Sequence, residues 1–129
     1  MSPIGSRRWA IAEGYIPGED TSGGDPRFDS HETACILNAG DEEAKIRITV
    51  YFADREPVGP YRVTVPARRT VHARFNDFDD PEPIPRETDY ACLIESDVPV
   101  VVQHTRLDSR RAALALITTV AHPAPLQEG

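Results

Sequence analysis

The sequence predicts an all-β fold, an antiparallel β-sandwich of about eight strands. Twelve prolines and eight glycines divide the 129 residues into short segments. The segments between them are rich in valine, isoleucine, threonine and aromatic residues, which favour strands. In residues 44–52 (AKIRITVYF), Ile46, Ile48, Val50 and Phe52 alternate with more polar residues. This period of two is typical of a strand with one face on a core, and no long helical pattern competes with it.

Eight segments have the length and composition of strands, and the first of them begins at Trp9. They are residues 9–16, 33–37, 44–52, 61–65, 70–75, 90–95, 98–107 and 113–120. The last segment is apolar on both faces and could also be a short helix capped by Ser109, but its β-branched residues favour a strand. Two long segments, 17–30 and 76–88, show no regular pattern and are expected to be functional loops.

Turn residues between these segments predict three hairpins. The second and third strands are separated by residues 38–41 (NAGD), in which Asn and Gly accept a positive φ. The fourth and fifth are separated by residues 66–69 (PARR), and the sixth and seventh by Ser96 and Asp97. We therefore expect each of these three pairs of strands to be hydrogen-bonded neighbours.

Length and composition predict one domain over residues 1–129, with a core over about residues 8–121 and short flexible tails, and the N-terminal sequence predicts a cytoplasmic location. The net charge of −7 repels phosphate backbones and anionic lipids, which argues against nucleic acid as a partner. Glu13 interrupts the apolar run near the N-terminus, so neither a secretion signal nor a membrane span is expected. Cys35 and Cys92 lie in apolar runs and are predicted to be reduced thiols of the core.

The densest polar cluster follows the apolar run of residues 98–102. In an extended chain, His104, Arg106 and Asp108 share one face, and together they offer donors and acceptors for hydroxyls or a carboxylate. The alternative is an exposed strand end in which Arg106 and Asp108 form a surface ion pair.

The first strand carries a second candidate row. Trp9, Glu13 and Tyr15 share a face in an extended chain, and aromatic faces with carboxylates suit a sugar ring. The alternative is that Trp9 and Tyr15 belong to the core, which is the commoner position for such residues. His31 and Glu32 open the second strand, but the sequence has no HxH, HxxxH or CxxC spacing, so no metal site is expected.

Catalytic signatures are missing from the sequence. It contains no GxSxG, Walker loop or GxGxxG pattern. A hydrolase that pairs Glu13 with Glu32 needs both carboxylates in one cleft. The sequence therefore predicts a protein that is not an enzyme and needs no cofactor.

Four strings are distributed along the chain between Trp9 and Arg110: WAIAEGYIP, HETACILNAGDEEAKI, EPVGPYRVTVPARRTVHARFND and VPVVVQHTRLDSR. In these strings the sequence resembles the sensory rhodopsin transducer family. The resemblance implies an intracellular β-sandwich similar to carbohydrate-binding domains, a tetramer, and binding of small molecules such as sugars or related metabolites. It also implies a membrane receptor such as a sensory rhodopsin as a partner. Residues 17–30 and the tail after Ala121 depart from the family's pattern.

Three functions follow from these observations. The first is a sensor or transducer that binds a small molecule, the second an adaptor without its own ligand, and the third a carbohydrate-active enzyme. We favour the first. If the first, second and seventh strands are neighbours, their polar residues converge on one ligand cleft. The predicted ligand-binding residues are Trp9, Glu13, Tyr15, His31, Glu32, His104, Arg106 and Asp108.

Overall fold

The computed structural model describes residues 4–18, 30–108 and 115–124. These residues form eight β-strands and one short 3-10 helix, Phe75–Asp77. The strands, in chain order, are β1 (Ser6–Tyr15), β2 (His31–Asn38), β3 (Ala44–Phe52), β4 (Val58–Val65), β5 (Arg69–Arg74), β6 (Asp89–Asp108), β7 (Ala115–Val120) and β8 (His122–Pro123). No helix in these ranges has the length and apolarity needed to cross a membrane.

The strands form two antiparallel sheets that share β6. The first half of β6 pairs with β1 and β3, and β4 and β8 extend this sheet, which we call sheet A. The second half of β6 pairs with β2 and β7, and β5 extends this sheet, which we call sheet B. The predicted all-β sandwich is thus confirmed.

The core lies between the two sheets, and the alternation in β3 places its apolar face there. Ile46, Ile48 and Val50 are buried, and Phe52 packs at the margin of the core. Cys92 is buried in the core while Cys35 is partly exposed, and both are free thiols. Burial raises the pKa of the Cys92 thiol to about 12.

Two of the predicted hairpins are wrong. β2 pairs with β5 and β6 rather than with β3, and β4 pairs with β3 rather than with β5. Each turn instead carries the chain from one sheet to the other. Buried Asn38 explains the first crossing, because its amide donates to the carbonyls of Glu42 (2.8 Å) and Val65 (3.1 Å) and so ties the turn to the end of β4.

The third predicted hairpin is also wrong, because β6 continues without a turn for 20 residues. At the predicted turn Ser96 is buried, and the Asp97 carboxylate accepts a hydrogen bond from the backbone N–H of Lys45 at 2.8 Å. This contact holds β3 against the middle of β6, where β6 passes between the sheets. The predicted loop 17–30 lies largely outside the described residues, as do Ser109 and the start of the last predicted strand.

Candidate functional site

A fully buried carboxylate lies between the two sheets. Alternation along β2 directs Glu32, Ala34 and Ile36 to the inner face of sheet B, and all three have 0% exposure. On the neighbouring strand β6, His104 lies opposite Ala34, and Arg106 lies opposite Glu32. The register therefore places a carboxylate, an imidazole and a guanidinium on the same inner face.

Glu32 connects the two sheets through four contacts. From sheet A, the backbone N–H of Tyr15 (2.8 Å) and the hydroxyl of Tyr90 (2.5 Å) both donate to Oε1. From sheet B, Nε of Arg106 donates to Oε2 at 2.5 Å, and Nε2 of His104 lies 3.3 Å from the same atom. The carboxylate thus has the charged and hydrogen-bonding partners that a buried ion requires.

These contacts determine the charge of the site. Burial alone would raise the pKa of Glu32, but its contacts with His104, Tyr90 and Arg106 outweigh burial and lower that pKa. Glu32 is therefore ionised at neutral pH. Burial, together with the adjacent Glu32 charge, raises the pKa of Tyr90, so its hydroxyl stays protonated and donates to the carboxylate.

Asn76, in the 3-10 helix, fixes the beginning of β2. Its Oδ1 accepts a hydrogen bond from the backbone N–H of Glu32 at 3.2 Å, and its Nδ2 donates to the carbonyl of Ser30 at 3.0 Å. One amide side chain thereby holds the backbone on both sides of His31. This support holds the backbone from which the Glu32 side chain enters the core.

A cleft of about 380 Å³ opens beside this network, between β1 and the second half of β6. Its volume lies within the usual range for small-molecule sites. Its lining residues come from β1, from β6, and from the end of β7 through the start of β8, and they are Ala10, Ile11, Ala12, Glu13, His104, Arg106, Val120, Ala121 and His122.

Arg106 joins the cleft to the buried network. Its guanidinium carbon lies 5.9 Å from the centre of the Tyr15 ring, and its Nε bonds to Glu32. Within the described part of the chain, this bond from Nε is the only hydrogen bond of the guanidinium. The Nη groups can therefore serve a ligand as paired donors.

The structure brings together five of the eight predicted ligand-binding residues. Glu13, His104 and Arg106 line the cleft. Tyr15 and Glu32 lie outside the cleft lining and contact the Arg106 guanidinium, which orients it. The other three lie outside the cleft lining and are Trp9, His31 and Asp108. The ion pair of Arg106 is with Glu32, whereas the sequence offered Asp108 as its partner.

Trp9 belongs to the core and gives no stacking face to the cleft. It is 6% exposed, and its Nε1 donates to the carbonyls of Ser6 (2.9 Å) and Val100 (3.0 Å). The predicted row on β1 is interrupted because the pairing with β6 shifts between Ile11 and Gly14. A bulge of this kind breaks the alternation of faces, and it leaves Glu13 exposed on the cleft rim.

Sequence reasoning missed Tyr90, Asn76 and His122. Tyr90 begins an apolar segment, and Asn76 begins a segment with no regular pattern. Neither pattern indicated that the Tyr90 or Asn76 side chain would bond to Glu32. His122 reaches the cleft because β8 pairs with β1, with His122 opposite Ala10. No group of three or more His, Cys, Asp or Glu side chains in the described ranges is placed to hold a metal ion.

Comparison with known proteins gives a family and two related structures. The model of the family described as Anabaena sensory rhodopsin transducer matches residues 4–123. A solved structure of the Anabaena sensory rhodopsin transducer is 59% identical, with a TM-score of 0.70, over 81% of this chain and 100% of that one. A crystal structure from Thermotoga maritima is 38% identical, with a TM-score of 0.82, over 94% of this chain and 97% of that one. A search of curated proteins found no match.

Proposed function

Because the chain belongs to the Anabaena sensory rhodopsin transducer family, we propose that it is a transducer that senses a small molecule. The ligand is a hydroxyl-rich compound, such as a sugar or a related metabolite, and it binds in the cleft between β1 and β6. The proposed role is non-enzymatic: the bound state of the cleft is relayed to a partner protein.

The observation that carries this proposal is the orientation of Arg106 by a buried carboxylate at the cleft. Glu32 is 0% exposed and holds Nε, which directs the guanidinium of a partly exposed arginine. An arginine held in one rotamer loses little entropy when it binds a ligand. Such preorganisation is typical of a binding site.

The charge balance of the cleft favours hydroxyls over an anion. The positive charge of Arg106 is already balanced by Glu32, and Glu13 adds a carboxylate on the rim. A ligand carboxylate would therefore meet no excess of positive charge. A polyol can accept hydrogen bonds from Arg106 and donate to Glu13, so it uses both kinds of group.

The setting and assembly that we propose are those implied by the family resemblance described in the sequence analysis. The protein acts in the cytoplasm as a homo-oligomer, a tetramer, with a membrane receptor such as a sensory rhodopsin as partner. Exposed apolar residues support self-association: Leu37 (42% exposed) and Val120 (67%) both lie on the outer face of sheet B. Light scattering should give four times the chain mass of 14.3 kDa, and a monomer would contradict this assembly.

The ligand proposal is tested by a thermal-shift screen over sugars, sugar acids and polyols, followed by calorimetry on each hit. Arg106→Lys keeps the charge beside Glu32 but removes the planar fork, so the affinity should fall about tenfold or more. Glu13→Ala should weaken binding without touching the buried network. Glu43→Ala, at an exposed site before β3, is the control and should bind as the wild type does.

Two results would contradict the proposal. If no compound raises the melting temperature while a membrane receptor still retains the protein, the function is that of an adaptor without its own ligand. If a hit binds with the same affinity to the Arg106→Lys and Glu13→Ala variants, the ligand site lies elsewhere.

A further inference from the structure

Three arginines form a row across the outer face of sheet A, on the side away from the core. The register places Arg62 of β4 opposite Arg47 of β3, and Arg47 opposite Glu95 of β6. Glu95 in turn lies opposite Arg8 of β1. All three arginines are exposed, so four neighbouring strands present three arginines and one glutamate, a row with a net positive charge, on this face. We call these four residues the arginine row.

The arginine row contains a pair that works against the stability of the sheet. Arg47 and Arg62 are direct cross-strand partners, and like charges in such positions are destabilising. Within the described ranges neither forms a hydrogen bond or an ion pair. Glu95 instead lies 3.7 Å from Nε of Arg8. Two adjacent guanidinium groups therefore have their donors available on a flat exposed surface.

We propose that the arginine row is a docking surface for an acidic segment of a partner polypeptide. Charge complementarity favours an acidic partner, because the row has a net positive charge although the chain has a net charge of −7. Each guanidinium presents a planar fork that fits one carboxylate in a bidentate arrangement. Carboxylates from a partner would thus relieve the repulsion between Arg47 and Arg62.

The dimensions of the arginine row suit a peptide. Neighbouring strands are about 4.8 Å apart, so the row extends for about 14 Å, the length of about four residues of extended chain. An extended polyanion, such as duplex DNA or an anionic bilayer, would also meet the acidic remainder of the chain, which repels it. A short acidic segment can contact the arginine row without contacting the acidic surface around it.

The test uses a fluorescein-labelled oligoglutamate peptide and fluorescence anisotropy at low ionic strength. Wild-type protein should bind this peptide, and the double variant Arg47→Gln/Arg62→Gln should lose about tenfold or more in affinity. The double variant Arg55→Gln/Arg68→Gln removes the same charge outside the row and should stay within about twofold of the wild type. The row variant should also melt at or above the wild-type temperature, because it removes a like-charge pair.

Three results would overturn the proposal. The first is a wild-type protein that does not bind the peptide. The second is an equal loss of affinity in the two double variants, which would reflect net charge alone. The third is an affinity for phosphatidylserine vesicles or duplex DNA that is higher than the affinity for the peptide and is lost in the row variant. The cleft is not involved, so the row variant should retain the cleft's ligand affinity whatever the outcome.

Discussion

Glu32 keeps a negative charge inside a largely apolar sandwich, where desolvation of the charge must be offset by its partners. Its contacts with Arg106, His104 and Tyr90 supply that compensation. Removing the carboxylate leaves the partly buried Arg106 without its counter-charge and the Tyr90 hydroxyl with a weaker acceptor. The network is therefore most sensitive to change at Glu32 itself.

Glu32→Gln should lower the free energy of unfolding by about 2–4 kcal/mol, because it breaks a buried ion pair and keeps the shape of the side chain. Urea denaturation measures the change. The control is Glu82→Gln, since Glu82 forms an exposed ion pair with Arg55, and it should cost at most about 1 kcal/mol. An equal decrease in the free energy of unfolding in the two variants would show that the Glu32 network stabilises the fold no more than a surface ion pair does.

The dependence of stability on acid pH should identify the same carboxylate. The pKa of Glu32 in the folded protein lies below its ordinary value of 4.5, so the unfolded chain takes up the proton first as the pH falls. The stabilisation is present above pH 4.5 and is lost as the pH falls through the folded pKa. The free energy of unfolding should therefore fall more steeply with acid in the wild type than in Glu32→Gln. Parallel curves would contradict this assignment.

Individual site residues could be predicted from the sequence only where the period of two holds. The sequence predicted that His104 and Arg106 share a face, and both lie on the inner face of sheet B because β6 is regular there. Trp9 and Glu13 were predicted to share a face as well, but Trp9 is buried and Glu13 exposed, because the pairing of β1 shifts between Ile11 and Gly14. A bulge depends on the partner strand, so the local pattern does not reveal it.

At the scale of strands, β1 and β6 pack more closely than most side chains would allow. A Cβ added at Gly14 would overlap the ring of Tyr90, whose hydroxyl binds Glu32. This close approach requires a glycine at the point where sheet A meets the buried network.

Gly14→Ala should lower the free energy of unfolding by about 1–3 kcal/mol, because the Tyr90 ring must move away from Glu32. Chemical denaturation measures this loss. Gly40→Ala is the matched control: the nearest atom to its added Cβ, Oδ1 of Asn38, would lie at 3.4 Å, an ordinary contact. A Gly14→Ala variant as stable as Gly40→Ala would mean that Tyr90 moves freely.

The strands themselves could be predicted from the sequence, but their pairing could not. Alternation identifies the buried face of β3, yet it does not say which strand lies beside it. The turn signals at residues 38–41 and 66–69 are real, but each turn crosses between sheets because buried Asn38 anchors the first and bonds to the carbonyl of Pro66 in the second. Ser96 and Asp97 resemble a turn by composition, whereas Asp97 caps the neighbouring strand through the N–H of Lys45.

In the molecule as a whole, the shared strand β6 joins the two sheets, and the Glu32 carboxylate adds a link between them at one end. β6 gives its first half to sheet A and its second half to sheet B. Glu32 links the end of sheet B to Tyr15 and Tyr90 of sheet A. Neither sheet can lose β6 without disrupting the other, so the sandwich should unfold as one cooperative unit.

Trp9, the single tryptophan of the chain, allows a test of this cooperativity. It lies in the core part of sheet A, so its fluorescence reports on that sheet, whereas far-ultraviolet circular dichroism reports on the strands of both sheets. In urea the two signals should change with the same midpoint and the same slope. A circular dichroism signal that persists after the tryptophan transition is complete would show that sheet B survives alone. Because β6 runs through both sheets without a turn, we expect no such intermediate, and changes at the cleft should then affect the stability of the entire sandwich.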